Sequence, residues 1–231
     1  MRFRGIFKVI AGALEFLGAL DGFQKPWREY PAVEYNNFPL PQDYDVPARA
    51  DRHLAGAMRR LTRIDVRSAE QVVSLDEDDV FNWPWIYAVQ VGEWGLTETE
   101  GAKLREYIQR GGFFMANDVH GDDEWGEFDK RIHFAFPERN IVELPDDDPY
   151  FHVVFDITDR PQVPGEAHLG AGCKNCSRGG RGAHWRAIVA VSHNSDLGDA
   201  WEFADAPHYP EKDSALAARI AVNDAIYAMT H

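Results

Sequence analysis

Two hydrophobic periods alternate along this chain, and the switches between them lay out its elements. At residues 50–61, Leu54, Ala57, Met58 and Leu61 recur at three- and four-residue spacing, which predicts a helix. Short extended runs follow at 64–66 and 71–75, and an acidic turn at 76–79 leads to Phe81. After Pro84, residues 85–91 are apolar on both faces, the pattern of a strand buried between two layers. It ends at Gly92-Glu93-Trp94. Thr97-Glu98-Thr99-Glu100 is a capping box: the Thr97 hydroxyl can accept from the Glu100 amide while the Glu100 carboxylate reaches back to the Thr97 amide. The helix it opens carries Leu104, Tyr107 and Ile108 as its stripe, and Gly111 supplies the left-handed residue that ends it. Residues 112–116 return as a strand. Two strands joined by a helix of this length must be parallel.

A second helix is expected at 124–136, with Trp125, Phe128, Ile132 and Phe136 inward and Pro137 as its stop. Further strands are expected at 141–144 and 187–191, and residues 150–157 form a short apolar segment. Between 158 and 183 Gly, Pro and Arg dominate, which reads as a long surface loop. A polar turn at 192–199 precedes Trp201, and a closing helix spans 214–229 with Leu216, Ile220, Ala221 and Tyr227. This alternation predicts a three-layer α/β sandwich, a mostly parallel central sheet covered by helices on both faces. Ligand sites in such folds lie beyond the carboxyl ends of the strands.

The start of the chain follows a different pattern. Arg2, Arg4 and Lys8 lead into a mostly apolar stretch at 9–20, which has the form of a secretory signal. Glu15 interrupts it and no small-x-small cleavage site follows Leu20. An amphipathic helix is the other reading, with Ile6, Val9, Ile10, Ala13, Phe16, Leu17 and Leu20 on one side. Either one places the protein in the cell envelope, exported or in peripheral membrane contact through residues 1–22. The run is too short and too charged to span a bilayer. Residues 23–49, dense in proline and aromatics, form an extended arm anchored by Trp27 and its tyrosines. The α/β domain occupies 50–231.

Composition narrows the partners. Twenty-four basic against 38 acidic residues give a net charge of -14, which opposes nucleic acid and anionic lipid surfaces and leaves small molecules, cations or proteins. The cysteines are Cys173 and Cys176 alone, so no disulfide framework carries the stability. With His168 and His184 they make a weak zinc pattern; a local disulfide or two free thiols is the simpler reading.

Several of these pieces together resemble a known family. Phe81-x-Trp83-Pro84 with Tyr87, Leu104-Arg105-x-Tyr107-Ile108-x-x-Gly111-Gly112-Phe113, Asp118, Phe136-Pro137 and Asn194-x-Asp196-Leu197-Gly198-Asp199-x-Trp201 are similar to the bacterial domain of unknown function 4159 family, as is the closing Tyr227-Ala228-Met229-Thr230-His231. The resemblance runs from Arg52 to His231. It implies a class I glutamine amidotransferase-like, flavodoxin-like fold. Members usually carry two acidic residues after the Gly-Gly-Phe strand; here the first is Asn117, and the stretch from Pro41 to Arg52 is too short to hold the opening strand of the family pattern. Amidotransferase relatives use a cysteine on a sharp turn after a strand. No cysteine or serine lies between Ala116 and Asp123, which argues against glutaminase chemistry. G-x-S-x-G, P-loop, G-x-G-x-x-G and H-E-x-x-H motifs are absent too.

Oxygen and imidazole remain at the strand ends: Asn117, Asp118, His120, Asp122 and Asp123 after one strand, His193, Asn194, Asp196 and Asp199 after another, Glu93 and Trp94 after a third. Two functions follow. One is an accessory module without a nucleophile, binding a sugar or a protein partner in the envelope through a groove lined by Trp94, Trp125 or Trp201. The other is a metal-assisted hydrolase in which Asp118, His120 and His193 converge on a divalent metal or work as acid and base. Against both, Asp122 or Asp123 can serve only to cap a helix, and Asn194, Asp196 and Gly198 are ordinary turn residues.

Overall fold

Two strand-helix-strand crossovers build the centre of the fold. The structure, a computed structural model, describes residues 7–11, 47–169 and 189–230. In chain order these hold β1 (Phe7–Ala11), α1 (Pro47–Leu61), β2 (Val66–Val73), β3 (Trp85–Ala88), α2 (Glu98–Gln109), β4 (Phe113–Val119), α3 (Gly121–Ala135), β5 (Val189–His193), α4 (Leu197–Glu202) and α5 (Glu211–Thr230). The arm at 23–46, Cys173, Cys176 and His184 lie outside the described residues.

The sheet order is β2-β1-β3-β4-β5. β3, β4 and β5 are parallel, with Trp85 opposite Phe113 and Phe114 opposite Val189. Both pairings follow from the helices between the strands, which return the chain to the same end of the sheet. The α2 cap forms as the sequence predicts: Thr97 Oγ1 accepts from Glu100 N at 3.2 Å, and Glu100 Oε2 accepts from Thr97 N at 2.8 Å. Gly111 ends the helix at φ 93°, a conformation that costs glycine little.

Strand alternation divides the core into two. Trp85, Tyr87, Phe113, Met115 and Ala190 face α1, α4 and α5. Ile86, Ala88, Phe114, Ala116, Val189 and Val191 face α2 and α3. Helices thus cover both faces, giving a three-layer α/β arrangement.

Three expectations are corrected. Residues 7–11 form a strand, where the apolar pattern of 6–20 predicts a helix. Two of its five residues, Val9 and Ile10, are β-branched, and the place between β2 and β3 offers backbone partners on both sides. β1 is antiparallel to both neighbours, so it alone opposes the direction of the sheet. The two short strands expected at 64–66 and 71–75 are one strand, β2, because backbone pairing with β1 continues across its polar centre through an irregularity between Val9 and Ala11. Residues 141–144 pair with no strand among the described residues; of the four, Leu144 alone is buried, Val142 is exposed, and Pro145 follows. The apolar segment at 150–157 opens with a 3-10 turn, Pro149–His152, started by the Asp148 carboxylate accepting from Tyr150 N at 3.0 Å. No helix among the described residues is long and apolar enough to cross a membrane.

Candidate functional site

Each of the three parallel strands ends at a non-glycine residue with positive φ: Gln90 at 52° after β3, Asp118 at 62° in β4, and Asn194 at 55° after β5. Asp and Asn accept this region more readily than other side chains, Gln less so. Left-handed backbone concentrated on one rim of a sheet marks a place where the chain is bent for a purpose other than pairing. At Asp118 the bend coincides with an irregularity between Ala116 and Val119 in the pairing of β4 with β5.

Two buried asparagines fasten these ends to each other. Asn117 Oδ1 accepts from Leu197 N at 3.0 Å and its Nδ2 donates to Asp196 Oδ1 at 3.1 Å. Asn194 Oδ1 accepts from Gly121 N at 2.9 Å, while Asn194 N donates to Val119 O at 2.7 Å. The asparagine after β5 thus holds the start of α3, and the one on β4 holds the start of α4. Asp196 caps α4 by accepting from Asp199 N at 3.0 Å. Asn117 and Asn194, expected as ligand-binding residues, act as staples of the site in this geometry.

Between the staples sit the ionisable groups. His120 Nε2 lies 2.9 Å from Asp118 Oδ1, with both side chains mostly buried. That contact raises the His120 pKa above the usual imidazole range, against the opposing effect of burial. His120 N donates to Glu124 Oε2 at 2.7 Å, so Glu124 folds back over the amide that precedes α3. His193 goes the other way: burial lowers its pKa, and its ring packs on Trp125 at 4.6 Å between centroids. Burial, followed by the charges of Asp118 and Asp199, pushes the Asp196 carboxyl up to about 8. Asp199 is also raised by burial. The rim therefore sets an imidazole with a raised pKa against Asp118 and beside an acid raised to about 8, groups able to donate and to accept hydrogen bonds.

A segment assigned in the sequence to surface loop closes over these acids. Asp196 N donates to Val163 O at 2.8 Å, Val163 N to Ser195 Oγ at 3.0 Å, Glu166 N to Asp199 Oδ2 at 2.7 Å and Tyr209 OH to Pro164 O at 2.6 Å. A Cβ on Gly165 would stand 3.1 Å from Asp199 Oδ2 and 3.2 Å from Asp196 Oδ2, so a side chain there would crowd both carboxylates. His168 continues this segment, and its ring lies 5.2 Å from that of His120. Glu124, Gly165, Glu166, His168, Ser195 and Tyr209 are the participants that pattern reading misses. Pro164-Gly165 was the visible signal, and it reads equally well as an ordinary turn.

Other predicted members fall elsewhere. Trp94 is 5% exposed and stacks on Phe114 at 5.4 Å, and Trp201 is 2% exposed; both are core, so the aromatic groove reduces to the half-buried Trp125. Glu93 is exposed at the end of a 3-10 turn, Val91–Glu93. Asp122 and Asp123 are exposed in the first turn of α3, where acids favour the positive end of the helix dipole. Among the described residues no three His, Cys, Asp or Glu side chains gather so as to hold a metal ion. Asp118 and His120 meet, and His193 does not complete a ligand set with them.

No curated protein matches the chain. A family model does: described as Domain of unknown function (DUF4159), it covers residues 31–229, and the chain belongs to that family.

Proposed function

We propose that this chain is a recognition domain, similar to class I glutamine amidotransferase-like, flavodoxin-like domains but without their nucleophile, and that its strand-end rim binds a ligand rich in hydroxyl or ammonium groups. The observation that carries this reading is Asp118. It occupies the bend near the end of β4, close to where the amidotransferase resemblance implies a cysteine, and it is held left-handed with its side chain against His120. Carboxyl groups and imidazole in this arrangement offer hydrogen-bond acceptors and donors but no group suited to attack a carbonyl. Asn117 is not a substitute nucleophile either, since its amide is fully engaged between Asp196 and Leu197. The metal-assisted hydrolase reading lacks its third ligand among the described residues and is not favoured. A partner in the cell envelope is compatible with this rim but not required by it.

The test is a titration of the protein with neutral sugars and with amino sugars, followed by the amide resonances of Gly121 and Leu197. Those amides report on the staples directly behind the acids. Saturable shifts that vanish in Asp118→Ala are expected. Shifts that survive Asp118→Ala, or ammonia released from glutamine by the unaltered protein, reject the reading.

A further inference from the structure

α1 and the turn after it carry a charge opposite to that of the protein. From Pro47 to Arg67 the chain has six arginines and two acids, in a sequence where acids outnumber bases 38 to 24. Of the two acids, Asp51 is buried, which leaves Asp65. Arg52, Arg59 and Arg60 fall on one side of the helix, and Arg63 follows two residues past its end. All four are exposed. Arg59 is engaged, its Nε donating to Val66 O at 3.0 Å and tying the helix to β2. Arg52, Arg60 and Arg63 have no ion pair among the described residues. Other cations are matched at close range: Lys103 by Asp78, Arg110 by Glu106 and Arg160 by Asp146.

Gly56 stands in the middle of this face, one turn after Arg52 and one turn before Arg60. A Cβ on it would meet nothing within 4 Å. The arginines therefore flank an open notch about 12 Å long, measured along the helix axis. At the end of the helix Leu61 is 48% exposed, an apolar side chain next to Arg60 in the chain and two residues before Arg63. We propose that this face docks an acidic segment of a protein partner, which crosses α1 at Gly56 with its carboxylates on Arg52, Arg60 and Arg63 and an apolar side chain against Leu61. Arginine suits such a partner, since its planar fork takes both oxygens of a carboxylate. A short segment is favoured over an anionic bilayer or a nucleic acid. Those would bring the whole molecule, at a net charge of -14, against an extended surface of its own sign. A short segment meets mainly the local arginines, because charges beyond about 8 Å are screened at physiological salt.

Fluorescence anisotropy of the full chain with a labelled Glu-Glu-Leu-Glu-Glu-Leu-Glu-Glu peptide, in about 50 mM salt so that surface charge is little screened, tests it. Saturable binding is expected, at least about tenfold weaker when the glutamates of the peptide are replaced by glutamine. Arg52→Glu and Arg60→Glu should each weaken it about fivefold or more, the scale of a reversed surface charge. Gly56→Leu fills the notch with a good helix former, so the variant stays folded, and it should weaken the peptide at least about tenfold. Arg139→Glu, just past α3 on the other side of the sheet, changes the net charge by the same amount as Arg60→Glu and should leave affinity within about twofold. No saturable binding up to about 1 mM peptide overturns the proposal. So does affinity unchanged in Gly56→Leu, or a loss in Arg139→Glu equal to that in Arg60→Glu. Tighter binding to phosphatidylglycerol vesicles than to the peptide would give the face to a membrane instead. A salt-sensitive dimer in sedimentation, lost in Arg60→Glu, would give it to a second copy of the chain, and either result rejects the acidic partner segment.

Discussion

The two faces of the sheet are closed by different means. Against α2 and α3 the core is hydrocarbon and aromatic ring: Leu104, Ile108, Phe114, Phe128 and Ile132 with Trp94 stacked among them. Among the described residues, none of the buried carboxyl, amide or serine side chains belongs to α2 or α3. Against α1, α4 and α5 the core contains Asp51, Asn223 and Asp224, each at most 1% exposed. The difference lies in what each face covers. α2 and α3 are ordinary crossovers packed on strands. α5 must also hold the irregular segment 150–157, which has no ladder to satisfy its backbone and takes part of its partners from side chains. Asn223 does most of this. Its Oδ1 accepts from Val154 N at 3.2 Å and Phe155 N at 3.0 Å, and its Nδ2 donates to Phe155 O at 2.9 Å.

If one face is held by packing and the other by hydrogen bonds, the faces should fail differently. Phe128→Ala removes a fully buried ring between Trp94 and Trp125. The expected loss is about 4 kcal/mol by chemical denaturation, from transfer and cavity terms together. Hydrogen exchange should then speed up throughout the protein, since the ring supports no particular loop. Asn223→Ala removes less volume but leaves three backbone groups of 154 and 155 without partners. About 3 kcal/mol is expected, with exchange at the Val154 and Phe155 amides raised well beyond the global change. A uniform increase in Asn223→Ala would mean that the α5 face, too, is held by packing alone.

The same contrast decides what the sequence makes legible. The α2–α3 face can be read in advance, because the capping box at Thr97, the stripe through Leu104 and Ile108 and the left-handed Gly111 are local patterns. Parallel pairing of β3, β4 and β5 follows from the crossovers. On the other face the information is non-local. Asn223 looks like a polar interruption of a helix until the segment it holds, some 70 residues earlier, is in place. The strand-end site divides in the same way. Asp118 and His120 stand out as polar residues after an apolar strand, whereas the stapling by Asn117 and Asn194 spans more than 70 residues and reads only as turn chemistry. The segment at 163–166 carries no period at all, so its place over Asp196 and Asp199 has no signal beyond Pro164-Gly165. At β1 the pattern misleads: residues spaced for a helix are used as a strand, because open edges on β2 and β3 outweigh local propensity.

The last difference between the faces is electrical. Asp224 is fully buried, one oxygen accepting from the Tyr150 hydroxyl and the other, Oδ2, without a hydrogen-bond partner among the described residues. Burial pushes its carboxyl from 3.8 up to about 7, the tyrosine hydrogen bond pulling partly back. A carboxyl raised on folding binds more protons in the folded chain than in the unfolded one between those two values. Its contribution to stability is therefore complete below about pH 3.8, falls through the interval, and is lost once pH passes about 7. Asp196, raised to about 8 at the strand ends, slopes in the same direction, so the pH profile of the unaltered protein mixes the two. Subtracting the profile of Asp224→Asn from that of the unaltered protein isolates the α5 face, because the amide cannot ionise and Asp196 remains in both. Denaturation from pH 5 to pH 8 should show the unaltered protein losing on the order of 2 kcal/mol more than the variant, most of it before pH 7. Parallel profiles would mean that Asp224 is ionised in the folded protein at pH 5 already, and that the carboxylate is held there by more than the Tyr150 hydroxyl.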